Sequence, residues 1–266
     1  MSGVGAVLAE AAAQGRAALV GYLPVGFPDL QESIDAMVAM VEAGVDIVEI
    51  GVPYTDPLMD GPVIADAADV ALKGGTRLAD IFTAVRAVAD AGAPALVMTY
   101  WNPVLRYGVD RFADDLAKAG GAGLITPDLI PDEAAEWVAA AERNDLDRVF
   151  LVAPSSSPQR LRSTAQACRG FVYAASTMGV TGARSAVGDA AEVLVTRTRV
   201  MTDTPICVGL GVSTGAQAAQ VAAFADGVIV GSALVRCLAE AGSPQAGLTA
   251  LRTLSAELAA GVRKGR

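Results

Sequence analysis

Residues 44–62 read GVDIVEIGVPYTDPLMDGP and set one carboxylate, Glu49, inside an apolar run. The run IVEIGV has the length and β-branched content of a buried strand, and the loop after it carries Asp56 and Asp60. An ionised carboxylate in an apolar strand costs several kcal/mol unless it is paired or neutralised. Such a group often has a raised pKa, which suits a residue that transfers protons. The stretch therefore predicts a buried strand and an acid/base group near its end.

Strand-like and helix-like runs alternate on both sides of this stretch, as about eight βα units at a period of roughly 20–35 residues. The strand-like runs are near-continuous apolar segments, as parallel strands covered on both faces require. The sequence predicts an α/β fold, a single (β/α)8 TIM barrel over residues 1–266 with extra N-terminal and loop helices. An open doubly wound sheet is the alternative, but the turn PVGFP at residues 24–28 lacks its GxGxxG spacing. The predicted strands cover residues 17–24, 47–51, 95–99, 122–126, 148–152, 171–175, 206–209 and 227–230. The predicted helices are a short one at the N-terminus and others over about residues 29–42, 80–91, 109–119, 132–142, 157–167, 189–200, 214–224, 232–241 and 245–262. Capping patterns at Asp29, Ser157 and Thr214 predict three of the helix starts.

Composition excludes several classes of protein. The chain has 266 residues, of which 53% are hydrophobic and 18% charged, and its net charge is −9. This charge disfavours a nucleic-acid surface, which requires a basic stripe. No run approaches the ~18 apolar residues of a membrane helix, and the N-terminus lacks the basic region of a signal peptide. The three cysteines have no CxxC spacing, so a reducing, cytoplasmic location is predicted.

Polar residues at the ends of the predicted strands are the candidates for chemistry, because active sites of such barrels lie there. Glu49 is the candidate acid/base group, with a structural carboxylate bonded to nearby backbone as the alternative. Asp60 precedes a Gly-Pro pair, and a plain turn would also explain it. Asp128 is a candidate as well, and a structural role in beginning the next helix would also explain it. The other candidates are Tyr100, Asn102, Tyr173 and Thr181.

Two glycine-containing turns predict a phosphate site. GLGVS at residues 209–213 follows the seventh strand, and Gly231-Ser232 follows the eighth. Bare N–H groups at helix N-termini bind phosphate without Lys or Arg, and barrels often use these two loops for it. Residues 176–188, STMGVTGARSAVG, form a long loop that is either a mobile lid or an ordinary connection.

Absent residue types narrow the mechanism. The chain has no histidine, which excludes a Ser-His-Asp triad and a histidine metal site. Lys73, Lys118 and Lys264 all lie away from the ends of the predicted strands, which disfavours a Schiff-base aldolase. No carboxylate cage for a metal stands out, so no metal site is predicted. The mechanism that these absences leave open is proton transfer by carboxylates next to a phosphate-binding site.

Six motifs in order along the chain resemble the tryptophan synthase α-subunit family: VEIGVPYTDPLMDGP, MTYWNP, PDLIPDE, YAASTMGVTGA, GLGVS and VIVGSA. The resemblance covers nearly the whole chain. It implies a lyase of tryptophan biosynthesis that cleaves indole-3-glycerol phosphate to indole and glyceraldehyde 3-phosphate. It places the acid/base glutamate at Glu49 and a second catalytic carboxylate at Asp60. The substrate-binding positions that it implies are Tyr22, Tyr100, Tyr173, Thr181, Gly182, Gly211, Gly231 and Ser232.

The resemblance also implies a partner. Family members bind a β subunit, in an α2β2 heterotetramer, and pyridoxal phosphate is expected in that partner, with no cofactor in this chain. The contact positions that it implies are Pro53, Asp56, Pro57 and Asn102.

The chain departs from the family pattern at four places. Thr55 stands where serine is usual, Leu210 where an aromatic residue is often found, and Tyr22 where phenylalanine is common. The turn at Asp128 is one residue longer than its shorter form. Three alternatives to the implied function stay open: a stand-alone lyase without a β subunit, an isomerase of phosphorylated sugars, and a catalytically silent module that binds phosphate ligands.

Overall fold

The computed structural model describes residues 3–175, 189–209 and 211–265. Eight parallel strands follow one another in chain order around a closed barrel, and the last pairs with the first. The predicted fold class is confirmed. The strands are β1 (Ala18–Pro24), β2 (Ile47–Gly51), β3 (Ala95–Met98), β4 (Gly123–Thr126), β5 (Asp147–Val152), β6 (Val172–Ala175), β7 (Ile206–Gly209) and β8 (Gly227–Val230).

Helices surround the barrel, and one of them precedes the first strand. Short 3-10 turns occur at Leu78–Asp80 and Pro131–Glu133. The α-helices are α1 (Gly3–Ala13), α2 (Leu30–Glu42), α3 (Pro62–Lys73), α4 (Ile81–Asp90), α5 (Trp101–Tyr107), α6 (Val109–Lys118), α7 (Ala135–Arg143), α8 (Pro158–Ala167), α9 (Asp189–Arg199), α10 (Gly215–Ala222), α11 (Ser232–Ala239) and α12 (Pro244–Val262).

Local sequence sets where several helices begin. The side chains of Asp29, Ser157 and Thr214 each accept a hydrogen bond from the backbone N–H three residues later. This satisfies one of the donors that the first turn of a helix leaves free. In α8 the residue after the cap is proline, whose missing N–H costs nothing at that position. The helix starts that the capping patterns predicted are therefore present.

Two helices were not predicted, and one predicted helix is divided. The loop after β2 leads into α3, whose first residue is Pro62, and the seven-residue α5 follows β3 directly. The predicted helix over residues 132–142 is instead a 3-10 turn and then α7, separated by Ala134 at φ −93° and ψ 11°. The proline at the start of α3 is a helix signal, whereas α5 is too short for its hydrophobic period to show.

The hydrophobic core has two layers, one between the strands and the outer helices and one inside the barrel. Helix α1 closes the N-terminal end of the barrel with the buried side chains of Val4, Leu8 and Ala11. Because side chains alternate along a strand, Glu49 points to the same side as Ile47, which packs in the interior layer. The interior layer includes Val20, Ile47, Leu96, Ile125, Val149, Phe171, Cys207 and Ile229.

We expect Leu8→Ala to destabilise the chain by about 2–5 kcal/mol, because it leaves a cavity between α1 and the barrel floor. Leu105→Ala is the matched control, since Leu105 is also helical but 49% exposed, and it should change stability by less than about 1 kcal/mol. Urea unfolding of the isolated chain measures both. Equal losses would contradict the packing of α1 beneath the barrel.

Candidate active site

One cavity opens at the C-terminal end of the barrel, and most of the predicted site residues line it. The structure brings together every predicted catalytic and substrate-binding residue that it describes, while Thr181, Gly182 and the variant position Leu210 lie outside the described residues. Shared location alone does not assign a role, so the individual roles stay predictions. The predicted residues around the cavity are Tyr22, Glu49, Asp60, Tyr100, Tyr173, Gly211, Gly231 and Ser232.

Glu49 lies in the middle of β2, opposite Tyr22 in the register of β1 and β2. Its side chain is only 1% exposed, and Oε2 has no hydrogen-bond partner among the described residues. Burial raises the pKa of Glu49 from 4.5 to about 8. A carboxylic acid that stays protonated at neutral pH is poised to give and take a proton. This geometry favours the proton-transfer role of Glu49 over a purely structural one.

Asp60 lies in a different environment. The hydroxyl of Tyr100 donates to Asp60 Oδ1 at 3.2 Å and accepts from the backbone N–H groups of Leu58 and Met59, both at 3.0 Å. Burial raises the pKa of Asp60, and the hydrogen bond from Tyr100 opposes this rise. Asp60 is therefore more than a turn residue, because a hydroxyl on another strand's loop holds its carboxylate. The two carboxylates have contrasting surroundings, as acid/base pairs in enzymes do.

Two half-buried tyrosines, Tyr22 and Tyr173, form part of the cavity wall, and each lies against a glycine on the neighbouring strand. A Cβ atom on Gly51 would lie 2.3 Å from Tyr22 Oη, and one on Gly209 would lie 2.6 Å from Tyr173 Oη. Burial is the main cause that raises the pKa of both phenols, so both are neutral. Glycine at the ends of β2 and β7 therefore makes room for the tyrosine rings.

The glycine turns lie at the rim of the same cavity. Gly211 has φ 71°, a left-handed conformation that side chains rarely adopt. Gly231 is the N-cap of α11, and the buried Ser232 is its first residue. The start of α11 thus lies at the cavity, and the free backbone N–H groups of a helix start favour an anion.

The structure contradicts the explanation that Asp128 helps to begin the helix that follows it. Its carboxylate does not begin the next helix but accepts from the backbone N–H of Trp101, at 2.9 Å to Oδ1 and 3.2 Å to Oδ2. Trp101 is the first residue of α5, which lies before Asp128 in the chain. No sequence pattern indicated this hydrogen bond, because its partners lie in the segments that follow two different strands.

The predicted contact residues share the end of the barrel that carries the cavity. Pro53, Asp56 and Pro57 belong to the loop after β2, and Asn102 lies in the first turn of α5. Asn102 Nδ2 donates to the hydroxyl of Tyr54 at 3.1 Å, which joins these two segments. Three large apolar residues are exposed in the segments that follow β2, β3 and β4: Leu58, Leu105 (in α5) and Ile130.

Comparisons with known proteins agree with this geometry. A family model described as "Tryptophan synthase alpha chain" matches residues 8–263. The tryptophan synthase alpha chain of Mycobacterium avium is 66% identical, over 94% of this chain and 90% of its own length. That of Mycobacteroides abscessus is 64% identical, over 95% and 94%. A structure of Mycobacterium tuberculosis tryptophan synthase aligns with a TM-score of 0.94 at 62% identity and covers 98% of both chains.

The chain belongs to the tryptophan synthase alpha chain family. It is therefore an enzyme subunit of tryptophan biosynthesis. The resemblance of the six sequence motifs to this family is confirmed.

Further residues of this alpha chain line the cavity without having been predicted. They give the cavity apolar walls, and most stand at or just beyond the end of a strand, which is the signal that could have found them. These residues include Val52, Ile64, Met98, Leu151, Ala175 and Ile229.

Other kinds of site have little support in this part of the chain. In residues 3–175, 189–209 and 211–265, no group of three or more His, Cys, Asp or Glu side chains could hold a metal ion. Cys168 and Cys207 are buried free thiols and Cys237 is half-buried. Among the helices that the structure describes, none is both long and apolar enough to cross a membrane.

We expect Glu49→Gln to stabilise the chain at neutral and alkaline pH. An unfolded glutamate ionises near pH 4.5, whereas Glu49 in the folded chain ionises at about 8. Between these values ionisation favours the unfolded state, so wild-type stability falls as the pH rises, by up to several kcal/mol. Glutamine stays neutral and avoids this loss.

Urea unfolding at about pH 5 and about pH 8 measures the effect. The control is Glu136→Gln, since Glu136 is exposed on α7, and this variant should follow the wild type at both pH values. A Glu49→Gln variant that also followed the wild type would show that Glu49 ionises normally.

Proposed function

We propose that this alpha chain cleaves indole-3-glycerol phosphate to indole and glyceraldehyde 3-phosphate, a carbon–carbon lyase reaction. The observation that supports it is the pairing of two differently placed carboxylates, Glu49 and Asp60, in one cavity whose rim carries the start of α11. Apolar walls suit the indole ring, and the helix start suits the phosphate. We propose that residues 1–266 act as one domain.

Glu49 carries the proton in this proposal. As the acid, it protonates C3 of the indole, so that the ring can accept electrons. As the resulting base, it then removes the proton of the hydroxyl next to the breaking bond. That oxygen becomes the aldehyde of glyceraldehyde 3-phosphate, and the electron pair of the broken carbon–carbon bond returns to the ring. Proton and electrons balance without an added reactant, and the raised pKa of Glu49 leaves it protonated at the start.

Asp60 stabilises charge in this proposal. While C3 is protonated the ring nitrogen is positive, and an ionised carboxylate that accepts the indole N–H lowers the energy of that state. The hydrogen bond from Tyr100 favours the ionised form of Asp60 and fixes its direction. Tyr22 and Tyr173, both neutral, complete the wall next to the carboxylates.

We expect Glu49→Gln to lower kcat for indole release by at least about 100-fold, because glutamine cannot transfer the proton. Asp60→Asn should also lose at least about tenfold, because the neutral amide no longer balances the charge of the ring. A spectroscopic assay of indole formed from indole-3-glycerol phosphate measures both.

Glu136→Gln is the control and should retain wild-type turnover. Glu49→Gln turnover above about a tenth of wild type would refute the assignment of Glu49. Wild-type chain that forms no indole would instead favour an isomerase of phosphorylated sugars or a silent phosphate-binding module.

We propose further that a β subunit binds over the cavity end of the barrel, in a cytoplasmic α2β2 heterotetramer whose pyridoxal phosphate lies in the β subunit. The exposed apolar residues Leu58, Leu105 and Ile130 support a partner there. Pro53, Asp56, Pro57 and Asn102 would be contact residues. The loop of residues 176–188, predicted to be either a lid or an ordinary connection, lies outside the described residues.

Addition of the β subunit should raise the rate of indole release. Leu105→Asp should weaken this stimulation and leave the rate of the isolated chain unchanged, because it places a charge on the apolar surface away from the cavity. Val200→Asp is the matched control, since Val200 is 77% exposed just after α9. Equal rates with and without the β subunit would rule out the regulatory part of the proposal and favour a stand-alone lyase.

A further inference from the structure

The carboxylate of Asp128 connects the loops that follow two different strands. It lies after β4 and accepts from the N–H of Trp101, at the start of α5 after β3, at 2.9 Å and 3.2 Å. The first N–H groups of a helix have no partner within the helix. Tyr100, the N-cap residue of α5, directs its own side chain to the loop after β2. Asp128 therefore caps α5 with a side chain from a different segment, the one that follows β4.

The same short segment holds the loop that carries Asp60. Tyr100 immediately precedes Trp101, and its hydroxyl contacts the N–H groups of Leu58 and Met59 as well as Asp60 Oδ1. The Tyr100 ring also packs against Tyr54, with the ring centroids 5.3 Å apart. The position of the backbone between residues 100 and 101 thus sets where the hydroxyl meets the carboxylate.

We propose that Asp128 is a positioning residue for Asp60 and that it acts through Tyr100. This inference rests on the proposed lyase function and adds to it a residue that lies outside the cavity lining. Asp128 holds the start of α5, α5 holds the Tyr100 ring, and the Tyr100 hydroxyl holds Asp60 and the two amides before it.

The contact distances make the arrangement sensitive to small shifts. The bond from Tyr100 Oη to Asp60 Oδ1 is already 3.2 Å long, which is longer than the usual O–H···O bond. A movement of about 1 Å in a group that orients the reacting centre can cost on the order of 100-fold in rate. Asp128 itself is exposed, so its removal leaves the barrel core intact.

The first test compares Asp128→Ala with Asp128→Asn, assayed for indole release with and without the β subunit. Alanine removes the acceptor, and we expect kcat to fall about tenfold with little change in KM. Asparagine keeps an acceptor oxygen and should restore most of the rate. Asp132→Ala is the matched control, since Asp132 is an exposed aspartate of the same loop that pairs with Arg160. Wild-type kcat in Asp128→Ala would overturn the proposal.

A double-variant cycle tests the route through Tyr100. If Asp128 acts through the Tyr100 hydroxyl, Asp128→Ala should add little to the loss already caused by Tyr100→Phe. Independent action would make the two losses multiply, and that result would overturn the proposed route.

Hydrogen exchange at Leu58 and Met59 gives a readout that does not depend on activity. Asp128→Ala and Tyr100→Phe should each speed exchange of these amides by about tenfold, and Asp128→Asn should not. If the wild-type chain releases no indole, the lyase proposal fails and the exchange rates alone decide the positioning role. Unchanged exchange in Asp128→Ala would refute that role.

Discussion

The desolvation of one carboxyl group constrains the whole cavity end of this barrel. Glu49 is 1% exposed and has a pKa of about 8, and both properties depend on keeping water and cations away from it. A single water-filled channel or a nearby arginine would restore ordinary ionisation. The apolar walls of the cavity serve this requirement.

Asp60 has the opposite requirement, since its proposed role needs charge. The fold meets it with a hydroxyl from the loop after the next strand, so that two carboxylates a short distance apart in sequence receive different solvation. A barrel is well suited to this division, because each strand end delivers one or two side chains to a common rim. The pKa of each acid then depends on its own strand and loop, so that the pKa of one acid can change without a change in the pKa of the other.

The strands could be predicted well from the sequence because a strand that is buried on both faces is a continuous apolar run. Candidate residues at strand ends followed from the same pattern, which singled out Glu49, whereas a catalytic role for Asp60 was predicted only from the family resemblance. No comparable sequence pattern indicates which residues of different loops contact one another. Tyr100 meets Asp60 across 40 residues, and Asp128 meets Trp101 across 27. Helix α5 was missed because a seven-residue element shows less than two full hydrophobic periods. These features depend on which loops the closed barrel places side by side, and one-dimensional patterns do not encode that directly.

The close approach of Tyr22 to Gly51 constrains how this pocket can evolve. Any side chain at position 51 would overlap the phenol ring, since even a Cβ atom would lie 2.3 Å from its oxygen. A lineage that reshapes the pocket must therefore shorten the aromatic residue before it enlarges the glycine, because the reverse order passes through a blocked intermediate. Positions 22 and 51 are therefore epistatic, because a larger residue at position 51 is tolerated only after the residue at position 22 has become smaller.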